Sequence, residues 1–182
     1  MRNELWPVAA ATALLLVAGS AGAQERVAVN FNTHDRVELD RPVSVVWPLI
    51  VEPNSWKPNR QMVHYAGPAG KVGEVFAIGG GADRSKIWFL AENVELVPNQ
   101  RRTIKLYDPA GRLLGFATWL LEPAGTRTIL RYEVHAESLV PPEKVGAPGT
   151  KSVAEQEREG YEVNKKRNDD EFVILKRLLG SK

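Results

Sequence analysis

The sequence predicts one α+β domain, an antiparallel meander closed by a long terminal helix, behind an export signal. Turn-forming clusters recur through the middle of the chain: Gly67-Pro68-Ala69-Gly70, Gly79-Gly80-Gly81-Ala82-Asp83, Pro98-Asn99, Asp108-Pro109-Ala110-Gly111 and Pro123-Ala124-Gly125. The segments between them are rich in Val, Ile, Phe, Tyr, Trp and Leu, and their connections are too short for parallel crossovers. Residues 152–179 then run without proline and carry a three-to-four apolar period.

The elements follow in order. Residues 27–39 are extended, with Val27, Val29 and Phe31 alternating before Val37 and Leu39. Asp40 is a cap and Pro42 a first-turn residue for a short helix whose face is Val46, Leu49 and Ile50, and which Pro53 and Asn54 end. Strands are expected at 61–66, 73–78, 86–97, 102–108, 113–122 and 127–138. In the last of these, Leu130, Tyr132, Val134 and Ala136 share a dry face and Arg131, Glu133, His135 and Glu137 a wet one. In 86–97, Trp88, Leu90, Val94 and Leu96 share a face into which Glu92 falls, so either a bulge shifts the register or a carboxylate points inward. The terminal helix starts at a capping box, Ser152 with Glu155, and its stripe is Tyr161, Asn168, Phe172, Leu175 and Leu179.

Residues 8–23 carry no charge and end in Ala21-Gly22-Ala23. Such a run is shorter than the roughly 20 residues a membrane span needs and ends as a signal peptidase site does. Residues 1–23 are therefore read as a cleaved secretory signal and 24–182 as a single domain, exported to the periplasm or secreted. With no cysteine, disulfides, thiol catalysis and a lipid-modified cysteine are excluded. Charge is balanced, 24 Lys+Arg against 22 Asp+Glu, which gives no footprint for nucleic acid. Lys165-Lys166-Arg167 beside Asp169-Asp170-Glu171 reads as a solvated helix face.

The order of elements resembles the helix-grip fold of the START/Bet v 1-like (SRPBCC) superfamily, in its polyketide cyclase/dehydrase and lipid-transport branch. The residues that carry the resemblance are Pro42-Val43, Val46-Trp47, Leu49-Ile50 and Trp56, then Asn93-Val94-Glu95-Leu96 running into Pro98, the Gly125-Thr126 turn, and Gly160-Tyr161. It covers about 36–180, and the extended stretch at 26–35 has no obvious place in it. The resemblance implies a curved seven-stranded antiparallel sheet wrapped around the C-terminal helix, with one or two short helices after the first strand. It also implies an apolar cavity between sheet and helix, in which many members of the superfamily bind lipids, sterols, hormones or polyketides and a minority catalyse cyclisation or dehydration.

Set in that fold, Trp47, Trp56, Trp88, Leu90, Glu92, Leu130, Tyr132, Val134, Tyr161 and Phe172 are the candidate cavity residues, with Trp47 a plug and Trp56 a plug or a gate. Catalytic signatures are mostly absent: there is no Gly-x-Ser-x-Gly and no His-Glu-x-x-His, the Gly67-to-Lys71 stretch has the wrong spacing for a phosphate loop, and the Gly79-to-Arg84 stretch fails the dinucleotide pattern because Arg84 stands at the third glycine position. Glu92 and His64 are the catalytic candidates. Glu92 buried in the cavity would be a general acid or base, whereas turned outward or paired with Arg131 it would be inert. His64 faces cavity or solvent, and Tyr107 and Tyr132 offer hydroxyls. His135 on a polar face and His34 near a bend do not suggest convergence, so neither metal nor cofactor is expected. The expected partner is a hydrophobic small molecule or lipid, with no nucleic acid and no stable membrane insertion after signal cleavage. A carrier is the leading reading; a cyclase or dehydratase using the same cavity and a non-catalytic interaction protein with a closed cavity are the alternatives.

Overall fold

The computed structural model describes residues 26–52, 54, 56, 57, 61–80 and 86–180. The expected signal, residues 1–23, lies outside the described residues, as do Pro53 and Pro58. The strands are β1 (Val27–Asn30), β2 (Thr33–Leu39), β3 (Gln61–Ala66), β4 (Val75–Gly80), β5 (Lys86–Val97), β6 (Arg101–Tyr107), β7 (Leu113–Ala124) and β8 (Arg127–Val140). Helix α1 (Val43–Val51) follows β2, and α2 (Val153–Leu179) closes the chain. All pairings are antiparallel, in the order β1-β8-β7-β6-β5-β4-β3 with β2 also on β8. This is the helix-grip arrangement.

The sheet has eight strands rather than seven because the first is broken in two. β1 pairs Val27 with Val140 and β2 pairs Thr33 with Val134, so both lie along one edge of β8. Phe31 stays attached through the break, donating its N–H to the Ala136 carbonyl at 2.7 Å. The extended stretch at 26–35 thus lengthens the first strand.

The inner face of β8 is as its alternation predicts, with Leu130, Tyr132 and Val134 buried. Beneath β2, β7 and β8, an apolar cluster of Leu39, Val46, Ile50, Leu121, Leu130 and Leu175 joins α1 and the end of α2 to the sheet. A second cluster, which includes Phe76, Ala91, Ile104, Ala117 and Tyr132, lies further along the same face. Helix α1 begins two residues later than its cap reading: Pro42, in extended conformation, is the N-cap in place of Asp40. α2 opens on the expected capping box, with Ser152 N–H donating to Glu155 Oε2 at 2.8 Å and Ser152 Oγ accepting from the Glu155 N–H at 3.3 Å.

The front half of α2 has few apolar residues, and polar contacts dock it instead. Glu157 Oε1 accepts from the backbone and side-chain N–H groups of Asn30 at 3.0 and 2.9 Å. Buried Asn168 donates to Asp35 Oδ2 at 2.6 Å, and Lys165 Nζ sits 3.2 Å from Asp35 Oδ1. That matters because an unpaired buried carboxylate is strongly unfavourable. Among the described residues no helix is long and apolar enough to cross a membrane.

Candidate functional site

Between the sheet and α2 lies a cavity of about 170 Å³. Strand register decides which side chains reach it, since cross-strand partners share a face. Phe89 lies opposite Ile78 and Ala91 opposite Phe76 and Leu106, while Asn93 lies opposite Ile104. The inward set on β5 is therefore Phe89, Ala91 and Asn93. Trp88, Leu90 and Glu92 occupy the convex face, where Trp88 is 47% exposed. Register shifts on β5 fall at Trp88 and between Asn93 and Glu95, on either side of Glu92, and the pairing between them keeps that carboxylate outward. Glu92 instead accepts a 2.7 Å hydrogen bond from Tyr107 Oη. That bond, helped by burial and by the repulsion of the carboxylate, pushes the Tyr107 phenol up to about 12.

The cavity walls are aromatic and aliphatic, including Phe31, Phe89, Ile104, Trp119, Tyr132 and Val134, and Trp119 stacks on Tyr132 with ring centroids 4.7 Å apart. Into this wall the fold sets a cation. Arg102 of β6 is 2% exposed and lines the cavity. Burial pushes its guanidinium down to about 10, against the raising influence of Glu74, and leaves it charged at neutral pH. Its Nε donates to Asn93 Oδ1 at 3.0 Å and its Nη1 to the Ile50 carbonyl at 2.6 Å. Ile50 lies in the last turn of α1, where the helix dipole favours a cation. The guanidinium also lies 5.2 Å from the Phe76 ring centroid and 5.5 Å from that of Trp119.

Asn93 passes this arrangement outward, donating its Nδ2 to Glu74 Oε2 at 3.3 Å. Glu74 Oε2 also accepts from the Gly70 N–H at 2.8 Å, and Glu74 Oε1 lies 3.1 Å from His64 Nδ1. His64 and Glu74 border a second cavity, of about 500 Å³, which shares Met62 and Arg102 with the first. At the other side, Lys57 lines the first cavity and its Nζ meets Glu171 Oε2 at 2.5 Å in a mostly buried pair.

Of the residues named from the sequence, Tyr132 and Val134 line the first cavity. Leu130 continues their face but is enclosed under α1. Trp56, 6% exposed, belongs to the same cluster, and Trp47 and Phe172 pack against it. Trp88, Leu90 and Glu92 face away, and Tyr161 is exposed, because Gly160 rather than Tyr161 meets the sheet. His64 borders the second cavity. His34 and His135, not expected to converge, have ring centroids 4.9 Å apart on the convex face.

The residues sequence reasoning missed are Arg102, Asn93, Phe89, Trp119 and Phe31. A signal existed for the first: Arg102 shares strand parity with Ile104 and Leu106, so a cation interrupts an apolar face.

No protein-family model and no curated protein matches this sequence. Solved structures do match in fold. A Mesorhizobium loti protein superposes with a TM-score of 0.54 at 22% identity, over 82% of this chain and 96% of that one. The Zhui aromatase/cyclase of Streptomyces sp. R1128 gives 0.58 at 15% identity, over 83% and 92%. Ara h 8.0201 gives 0.54 at 14% identity, over 82% and 97%. At these identities the likeness establishes the fold.

Proposed function

We propose that this chain, which has the helix-grip fold of START/Bet v 1-like proteins, is an exported binding protein for a small hydrophobic acid held between sheet and α2. The observation that carries the reading is Arg102: a guanidinium 2% exposed, set among aromatic rings on the wall of an otherwise mostly apolar cavity. Burying such a cation is unfavourable unless something compensates it. Its bonds to Asn93 and Ile50 leave further N–H groups of the fork for a guest, and a carboxylate suits that fork best. Apolar contact with Phe89, Trp119 and Val134 supplies most of the affinity, and the ion pair fixes orientation.

Size narrows the guest further. A dry cavity of about 150 Å³ is known to hold a benzene molecule, and this one is about 170 Å³. A single aromatic ring or a short branched chain fits; a long acyl chain or a steroid requires α2 to move. Export rests on the apolar run ending in Ala21-Gly22-Ala23, and an intact-mass measurement on secreted protein should give a chain starting near Gln24.

Calorimetric titration with aryl carboxylates and their neutral amides tests the reading. Carboxylates should bind at least about tenfold more tightly than the amides, and Arg102→Met should abolish that preference while keeping amide binding. Equal binding of acid and amide by the wild type, or no binding of either, would sink it.

A second reading, catalysis, draws on the His64–Glu74 contact beside Arg102. A carboxylate on Nδ1 orients an imidazole for general-base work at its other nitrogen. Conversion of a bound carboxylate by the wild type, lost in His64→Gln with binding retained, would favour it.

A further inference from the structure

The convex face of the sheet, opposite the cavity, carries a cluster that the proposed binding function does not use. His34 on β2 lies directly across from Glu133 on β8, and His135 lies two residues further along β8 on the same side. Their ligand atoms all lie within 4.8 Å of one another, with His34 Nδ1 4.0 Å from Glu133 Oε1. The two imidazoles meet edge to face at an interplanar angle of 66°.

From this the geometry points to a surface site for a divalent transition-metal ion of the zinc class, bound by His34, Glu133 and His135. Three observations support it beyond proximity. The donor set, two imidazoles and one carboxylate, is the one zinc accepts when a further position is left to water. The cationic neighbours that would compete for Glu133 are occupied: Arg36 by Glu38 at 3.0 Å and Arg131 by Glu122 at 3.0 Å. The ligands also stand on paired strands, so their spacing is set by the ladder rather than by a loop. Zinc–ligand bonds of about 2.1 Å need the three atoms some ~3.4 Å apart. Side-chain torsions can close that gap, because His34 is 62% and Glu133 45% exposed at the side chain.

A bound ion would clip β2 to β8, since one ligand comes from the first strand and two from the second. Binding to the folded chain alone then raises its melting temperature by mass action. Magnesium and calcium, which prefer oxygen donors, should do little.

The test uses tag-free mature protein stripped with chelator, titrated calorimetrically with zinc and melted with zinc or magnesium. One zinc per chain and an upward melting shift with zinc alone are expected. His34→Ala and His135→Ala should each lose more than about tenfold in affinity, and Glu133→Gln should lose less. Each variant should melt with the wild type in chelator, because these side chains stand in solvent; a variant that melts low is replaced by His34→Asn or His135→Asn. Failure of the wild type to bind zinc, or equal binding by the histidine variants, overturns the site.

Discussion

The Leu49 carbonyl, in the last turns of α1, cannot receive the backbone donor that a continuing helix would supply, because residue 53 is proline and has no N–H. The indole Nε1–H of Trp56 takes that place at 2.7 Å, while its ring fills the cluster of Leu39, Ile50 and Leu175. Trp56 is thus both a cap and core packing, which accounts for its position beyond α1 better than a gate does. Trp56→Phe keeps most of the ring but removes the donor, and should cost about 1–3 kcal/mol in urea unfolding. Tyr107 gives a pH expectation. Its folded value, about 12, lies above the ordinary 10.0 because Glu92 accepts its proton in a hydrogen bond. The stabilisation is therefore complete below pH ~10 and disappears as pH rises through about 12. The tyrosinate absorbance step missing from Tyr107→Phe should be the late one, and Glu92→Ala should bring it earlier; an unchanged midpoint in Glu92→Ala would reject the assignment.

At the level of elements, α2 is docked in two styles. Its last turns use apolar burial, Leu175 and Leu179, and its front half uses Glu157, Gly160, Lys165 and Asn168 against β1, β2 and the break between them. Gly160 faces that break closely: a Cβ there would stand 2.3 Å from Phe31 Cδ1. With its N–H bonded to Ala136, Phe31 can yield only by turning its ring into the cavity it lines. Helix propensity favours Gly160→Ala by about 1 kcal/mol, but overpacking of this kind costs about 1–3 kcal/mol. The variant should be net destabilised and should bind aryl carboxylates more weakly, as the displaced ring enters the cavity. Increased stability with unchanged binding would show that the break is not rigid. Gly115 on β7 is constrained in a related way, since a Cβ there would meet the His135 carbonyl oxygen at 1.9 Å.

Across the whole molecule, the two candidate sites lie on opposite faces of one sheet, and alternation keeps them apart: Tyr132, Val134 and Ala136 face the cavity while Glu133 and His135 face out. A ligand for one can therefore be tested without occupying the other. Much of this plan was legible in the sequence. The meander, the faces of β8, the extent of α2 and its capping box follow from local pattern, because period, turn chemistry and caps act between residues near each other in the chain. The faces of β5 were not legible, because both Trp88-Leu90 and Phe89-Ala91 are apolar, and only pairing with β4 and β6 selects the second set. Arg102 was not legible as a site, since its partners Asn93 and Ile50 lie elsewhere in the chain. His34 and His135 were separated by a hundred residues of sequence and joined only by the β2–β8 register. Short-range geometry makes the elements and their order readable from the chain alone. The tertiary structure decided which side chains share a space, because register and helix docking are long-range choices that local pattern leaves degenerate.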